Sequence, residues 1–455
     1  MVADAEGQSR DDVRGLCPGA PLRGSASLPC SKSLAQRVLL IASQARGSTR
    51  LEGLRLERAC DDVRAAVELV RELGTTVEAL ENGVRLEPSD ARAWRPRAAL
   101  NAGESATLAR LATALLAFRA PPHSTWTLTG ERTLLARTST PLFEALRAGG
   151  ARIEHSRGSA SWPLRIAPCA PGRVVRLEAP ASSQEVSALL LALSALAGPR
   201  ELEVAGAIPS RPYVDMTIAC LSRFGVSVET SRHRSGVRLA VRGELAAPAR
   251  PWLLEPDASA AAVALAAACL SDGELSIEGL AASSLQSDVR IADYLARFGC
   301  RAEAGPGGLC AGGRPLRGAA VDLSGQPDLA PVLAAVGACA AWSAGGTTEL
   351  SGLGTLSNKE SPRLAVLAAA LRRLGLAVEA DGERLRIAPG AESGETPVRL
   401  DARGDHRMAF AFALLGLVRP GIEVSGADCV AKSWPSFWED LAAWGARTAC
   451  YPARP

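Results

Sequence analysis

The sequence predicts a mixed α/β protein of two globular domains, each built from three copies of a helix-and-strand unit of about 75 residues. Three observations predict it. Six segments share one form, a helical stretch closed by glycine and followed by a short strand: RELGTTVE (Gly74), RAGGARIE (Gly150), SRFGVSVE (Gly225), ARFGCRAE (Gly299), RRLGLAVE (Gly375) and AAWGARTA (Gly445), spaced by 76, 75, 74, 76 and 70 residues. Glycine fits there because a helix commonly ends on a left-handed residue, which needs no Cβ. Upstream of these glycines lie amphipathic stretches such as DDVRAAVELVREL and SPRLAVLAAALRRL, apolar at three- and four-residue steps. Between the third and fourth units, PARPWLLEPDAS (248–259) is a Pro-rich link that meets a new helix.

From the N-terminus, MVADAEGQSRDD is polar and acidic and has no apolar core of a secretory signal, so residues 1–16 are expected to be a disordered tail. The expected division is 31–253 for the first domain and 17–30 with 254–455 for the second. The 47% hydrophobic content is enough for real cores, and 22% charged residues is near the globular average. A net charge of +3, with no basic stripe interleaved with aromatics, argues against a nucleic-acid partner. Gly, Pro, Ser or a charge interrupts every apolar run before about 18 residues, so no membrane span is expected. The eleven cysteines are scattered, odd in number and never spaced as CxxC, which points to reduced thiols in the cytoplasm rather than a disulfide framework or zinc site.

The chemistry-bearing segments cluster at predicted helix starts. LPCSKSLAQRVLLIAS (28–43) offers Ser31 and Ser33 as caps, with Lys32 and Arg37 around the first turn, a natural anion site or equally a solvated cap. Ser182, Ser183 and Gln184 open another apolar helix, and IPSRPYVDMT supplies Ser210, Arg211, Tyr213 and Asp215. SGQPDLAPVLAAV sets Asp328 at a helix mouth. ARGDHRMAFAFALL places Asp405, His406 and Arg407 just before a strongly apolar helix. Each pair taken alone is ordinary capping. The other histidines, 123, 155 and 233, lack such company. LSNKESPRLAVLAAALRR is different. Lys359 and Arg363 near a helix N-terminus oppose its dipole unless an anion sits between them, and Glu360 lies beside them.

In order along the chain, SKSLAQR, GESATLAR, SSQ, SRPYVDMT, PDLAP, NKESPR, GDHRMA and CVAKSWPSF resemble the signature segments of the enolpyruvyl transferases, in particular the shikimate-pathway branch, over residues 28 to 440. The resemblance implies a two-domain clamp, each domain three βαβαββ units in an inside-out α/β barrel. It implies transfer of enolpyruvate from phosphoenolpyruvate to the 5-hydroxyl of shikimate 3-phosphate, with these two small molecules as partners. It also implies a monomer with no cofactor, and no ligand set for a metal is visible.

By the same resemblance, Lys32, Ser33, Arg37, Ser182, Ser183, Gln184, Ser210, Asp328, Thr355 and Lys359 hold shikimate 3-phosphate. Arg37 takes its carboxylate, and the three serines 182, 183 and 210 its phosphate. Lys32, Ala106, Arg137, Gln184, Arg363, Arg407 and Lys432 form the phosphoenolpyruvate pocket. Asp328 is the base for the 5-hydroxyl and Glu360 the acid for C3, with Lys32 and His406 in support. Arg110 has a loop-stabilising role. Ala106 stands four residues before Arg110, where glyphosate-sensitive members carry glycine. The chain departs from the pattern at Cys30 (usually Gly), Thr355 (Asn), Pro362 (acidic) and Gly404 (Asn). The enzyme acting on UDP-N-acetylglucosamine and a non-catalytic protein of the same fold are the alternatives. Ser33 after Lys32, SSQ and SRPYVD speak against the first, and the intact Asp328, Glu360, Lys32 and Arg407 against the second.

Overall fold

The computed structural model describes residues 13–90, 94, 99–156, 160–234, 236–390 and 397–450. The chain divides into two compact units. The first is Cys30–Glu255, and the second combines Met1–Pro29 with Pro256–Pro455.

The first unit contains three four-stranded sheets. Their strands, in spatial order, are Trp252–Leu253, Thr49–Glu52, Gly83–Glu87, Thr76–Leu80; then Leu100–Asn101, Trp126–Thr129, Leu164–Ala167, Arg152–His155; then Val174–Glu178, Arg200–Ala205, Gly236–Gly243, Val226–His233. In each sheet the first two strands are parallel and the rest antiparallel. Helices α1 (Lys32–Ala42), α3 (Ala106–Arg119) and α5 (Ser183–Ser194) are buried over most of their length and pack together. Helices α2 (Asp61–Glu72), α4 (Thr140–Ala148) and α6 (Pro212–Arg223) bury one face only. Each repeat therefore combines strand, inner helix, strand, outer helix, strand, strand, the opening strand of the first repeat being Trp252–Leu253 from the unit's far end. Inner helices apolar on every side and outer helices apolar on one stripe are what a layered core requires.

The second unit repeats the plan. Its inner helices are α7 (Ala258–Leu270), α9 (Ala330–Ala344) and α11 (His406–Gly416), and its outer helices α8 (Ile291–Arg297), α10 (Arg363–Arg373) and α12 (Phe437–Ala443). The chain ends complete the sheets. Arg23–Ser25 runs parallel to Glu274–Glu278, and Val13–Cys17 pairs antiparallel with both Ile422–Ser425 and Arg447–Cys450. In the first unit Trp252–Leu253 likewise returns to lie beside Thr49–Glu52.

All six repeat glycines have left-handed φ: 92°, 101°, 86°, 88°, 81° and 110° at Gly74, Gly150, Gly225, Gly299, Gly375 and Gly445. After five of them the next N–H bonds back to the carbonyl five residues earlier, as in Thr75 to Val70 at 3.0 Å and Ala446 to Leu441 at 2.9 Å. This is the Schellman helix stop.

Three expectations change. Residues 13–16 belong to a strand rather than a tail: Val13 and Leu16 are buried while the acidic run before them hid the pattern; residues 1–12 lie outside the described residues. The units meet at Pro29/Cys30 and Glu255/Pro256, instead of 30/31 and 253/254, because the strand at Trp252–Leu253 and the Ser31 N–H bond to the Glu255 carbonyl keep the link with the first unit. Pro327–Ala344 is, by length and composition alone, long and apolar enough to cross a membrane; 78% of it is buried inside the protein, as an inner helix should be. Among the described residues the ten cysteine side chains form no disulfide, and that of Cys450 lies outside them.

A Cβ at Gly225 would stand 3.2 Å from the Glu244 carbonyl oxygen, on a backbone that L-residues avoid. Gly225→Ala should therefore lower the unfolding free energy by about 1–2 kcal/mol. Gly172→Ala, with nothing within 4 Å of its Cβ, should leave the urea midpoint unchanged; equal midpoints for the two variants would refute the helix-stop argument.

Candidate active site

In the first unit the inner helices start on serine caps. Ser31 Oγ accepts from the Leu34 N–H (3.3 Å), Ser105 Oγ from Leu108 (3.2 Å) and Ser182 Oγ from Gln184 (3.2 Å). Glu185, fully buried, completes a capping box at α5. Of the two cap candidates in the first motif, Ser31 is the cap and Ser33 lies inside the first turn.

Side chains tie these starts together. Gln36 Nε2 donates to Ser105 Oγ (2.7 Å) and to the Asp62 carbonyl (3.1 Å), and Lys32 Nζ sits 3.1 Å from Asp62 Oδ2. Arg110 donates to Gln184 Oε1, to Ser139 Oγ (3.0 Å) and to the Thr138 carbonyl (2.9 Å). It thereby anchors the stretch next to Arg137, the loop-holding part expected of it. Ser139 in turn donates to Glu185 (2.7 Å). Three helix N-termini are so joined, and a helix N-terminus carries a positive dipole end that favours an anion.

Arg37 is 1% exposed, with Nε on Thr217 Oγ1 (2.8 Å), Nη1 on the Ser33 carbonyl (2.7 Å) and Nη2 near the Tyr213 carbonyl (3.4 Å). Burial lowers its pKa. It packs Ser33 against the start of α6, just after Ser210. Ser210 adopts φ 49°, a left-handed conformation that a non-glycine residue keeps at a cost and that is common at ligand sites. Ala106 is the buried first residue of α3, and Ser183 and Gln184 open α5.

The second unit carries the denser cluster. Arg363, first residue of α10 and 1% exposed, meets three carboxylates: Asp405 (2.7 and 3.1 Å), Glu360 (2.6 Å) and Asp328 (2.8 Å). Asp328, in the turn Pro327–Leu329 leading into α9, meets three cations: Lys359 (3.1 Å), Arg363 (2.8 Å) and Arg407 (3.4 Å). The anion that the KESPR segment demanded is thus the protein's own carboxylates. Asp405 caps α11, taking the Arg407 N–H (3.0 Å) and the Ser361 hydroxyl (2.9 Å) as well as Arg363. Burial alone would raise the Asp328 pKa, but Lys359, Arg407 and Arg363 outweigh it and hold the carboxyl well below the usual range. Burial would likewise lower the Arg363 pKa; Asp405, Glu360 and Asp328 raise it instead. Stability from the ionised Asp328 is complete above its unfolded pKa of about 3.9 and is lost only as pH falls below it.

His406 is buried in the first turn of α11, Nδ1 3.9 Å from Asp405 Oδ1 and its ring edge-on to Phe410. Thr355 stands in the turn Gly354–Asn358, and its buried Oγ1 meets no hydrogen-bond partner. Lys432 is 6% exposed at the end of the turn Ala427–Lys432. Among the described residues no group of three or more His, Cys, Asp or Glu is placed to hold a metal.

Reading motifs alone missed Asp62, Gln36, Ser139, Glu185, Thr217, Ser259 and Asp288, whose partners are distant in sequence. It also overlooked one signal in the composition. Of 51 Lys and Arg residues only three are lysine, Lys32, Lys359 and Lys432, and all three fall in these motifs. Everywhere else the chain uses arginine, so the compact ammonium is kept where a planar fork would not serve.

A sequence model of the family described as EPSP synthase (3-phosphoshikimate 1-carboxyvinyltransferase) matches residues 16–441. A 3-phosphoshikimate 1-carboxyvinyltransferase of Methanopyrus kandleri is 38% identical over 433 residues, covering 93% of this chain and 96% of that protein. The one of Laribacter hongkongensis is 36% identical over 437 residues, covering 94% and 98%. An EPSP synthase structure from Acinetobacter baumannii superposes with a TM-score of 0.74 at 23% identity, covering 96% of this chain and all of that one. The enolpyruvyl transferase NikO from Streptomyces tendae does so with a TM-score of 0.72 at 19% identity, covering 96% and 98%. The last two show likeness of fold.

Arg363→Ala would strand three carboxylates that now share one buried guanidinium, and should cost about 3–5 kcal/mol of stability in urea unfolding. Arg384→Ala, at an exposed pair 3.9 Å from Glu349, should change nothing measurable. Equal stability of both variants would contradict the central place given to Arg363.

Proposed function

Because the chain belongs to the EPSP synthase family, we infer that it transfers the enolpyruvyl group of phosphoenolpyruvate to the 5-hydroxyl of shikimate 3-phosphate and releases phosphate. The observation that carries the residue roles is Asp328, an ionised carboxylate held by exactly the kind of cations two polyanionic substrates would claim.

Ser182, Ser183 and Ser210 receive the phosphate of shikimate 3-phosphate, with Lys32, Ser33, Thr355 and Lys359 at its ring. Arg37, its donors already engaged, takes the substrate carboxylate with what remains of its fork and sets the Ser33 backbone. Arg137, Arg407, Lys432 and Lys32 hold phosphoenolpyruvate beside Gln184. Arg363 contributes chiefly by orienting Asp328 and Glu360.

A carboxylate surrounded by three cations is a poor base. Once substrate anions take up the charge of Lys359 and Arg407, the Asp328 pKa rises and it can accept the 5-hydroxyl proton. The freed oxygen attacks C2 while Glu360 protonates C3, giving a tetrahedral ketal phosphate. Loss of the C3 proton and of phosphate restores the double bond. The cations meet charge growing on the leaving phosphate, with His406 in support. This reading includes a monomer working in the cytoplasm with neither nucleic acid, membrane nor cofactor, in line with the small net charge of +3.

Phosphate release with phosphoenolpyruvate should need shikimate 3-phosphate and be absent with UDP-N-acetylglucosamine. Asp328→Asn should cut kcat by about 10²–10⁴-fold with little change in KM for phosphoenolpyruvate; a full-speed variant would remove the base assignment. Ala106 opens α3 four residues before Arg110 in the same helix. Its methyl takes room that glyphosate, longer than phosphoenolpyruvate, needs, at about 1–3 kcal/mol, or roughly 5- to 150-fold in affinity. The protein should therefore tolerate glyphosate, and Ala106→Gly should tighten its inhibition constant; identical constants would sink that placement.

A further inference from the structure

Asp288 has no part in the roles above. It lies in the turn Ser287–Arg290, is 3% exposed, and accepts the hydroxyl proton of Ser259, the second residue of α7. Ser259 Oγ in turn accepts from Arg407 Nη2 at 3.1 Å. The other arm of Arg407, Nη1, donates to the Asp328 carbonyl at 3.1 Å. A line of bonds thus runs from Asp288 through Ser259 and Arg407 to Asp328, across the starts of all three inner helices of the second unit.

We propose that Asp288 is a positioning residue for enolpyruvyl transfer, fixing the Arg407 guanidinium through the Ser259 hydroxyl so that it faces phosphoenolpyruvate. The inference rests on the reading that Arg407 binds that substrate.

The chemistry of the hydroxyl makes the case. Serine has one proton and rotates freely, and only when a strong acceptor claims that proton do its lone pairs point in a set direction. Asp288 is that acceptor, which leaves the lone pairs to Arg407. A plain capping role is already filled by others. Asp257 Oδ1 takes the Ala260 N–H (2.9 Å), and Gln286 bridges the Ala258 N–H (2.9 Å) and the Pro256 carbonyl (2.8 Å). A buried carboxylate costs desolvation and persists where it has work to do. Burial pushes the Asp288 acid up, and Arg407 is the strongest influence pulling it back. The guanidinium therefore lies between two carboxylates, Asp328 directly and Asp288 through the hydroxyl. When a substrate frees Asp328, the second tether keeps Arg407 in place.

Steady-state kinetics on the purified full chain tests this, with melting temperatures alongside. Ser259→Ala should raise KM for phosphoenolpyruvate about tenfold, as a small misplacement of a binding group does. Its kcat and its KM for shikimate 3-phosphate should change much less. Asp288→Asn, which keeps an acceptor oxygen, should show a smaller rise than Asp288→Ala. In an Arg407→Ala background, Ser259→Ala should add nothing further. The proposal is overturned if Ser259→Ala lowers the melting temperature while leaving KM for phosphoenolpyruvate as in the parent, or if it raises that KM equally with and without the Arg407 side chain. If Asp288→Ala does not fold, the serine variant and the double variant still decide. An unchanged KM in Arg407→Ala alone would instead defeat the reading on which the proposal rests.

Discussion

A guanidinium with four directed bonds to three carboxylates organises the second unit. Arg363 is buried, so each carboxylate it touches is also held in a medium that screens charge poorly. None can leave without exposing the others to an unbalanced field. The three come from different places: Asp328 from the turn before α9, Glu360 from the approach to α10, Asp405 from the cap of α11. One side chain thus sets the relative height of two inner helix starts and one outer one. Three cations and three carboxylates balance in the cluster without a ligand. A polyanionic substrate entering such a balanced cluster would exchange ionic partners rather than meet bare charges.

The repeat architecture was legible because its signal is local. A glycine at each outer-helix end needs only the chain's own backbone to explain it, and all six have the left-handed φ expected. Helix starts were legible for the same reason, down to Ser182 and Asp405, although the sequence left Ser31 and Ser33 both open as caps and only the structure selects Ser31. What escaped depends on distant pairing. The strand Val13–Cys17 has meaning only beside Ile422–Ser425 and Arg447–Cys450, more than four hundred residues away. The second layer of the site, Gln36 to Ser105 or Ser139 to Glu185, has no motif, since any residue able to reach would serve. Arg37 and Arg363 were legible as cations. Their near-complete burial and their protein partners were not, because spacing alone cannot say whether a fork points at substrate or at its neighbours.

Both units are closed by strands borrowed from elsewhere in the chain. Trp252–Leu253 completes the first sheet of the first unit, and the N-terminal segment completes two sheets of the second. Each closure joins residues far apart in sequence, so its loop-closure entropy must be met before the pairing rewards it. The inner helices, with their short-range caps, can form earlier. Removing the residues up to Cys17 would take a central strand from the last sheet and leave Ile422–Ser425 and Arg447–Cys450 without the partner between them.

The confinement of lysine to three positions has a practical side. Reagents that acylate amines find, besides the chain terminus, only Lys32, Lys359 and Lys432, so attaching a dye or fixing the protein to a surface through amines falls on the three residues proposed above to hold substrate. The same scarcity makes the protein a clean spectroscopic object. Incorporating isotope-labelled lysine yields three side-chain ammonium signals, each assignable to a proposed substrate contact with no further lysine background to subtract.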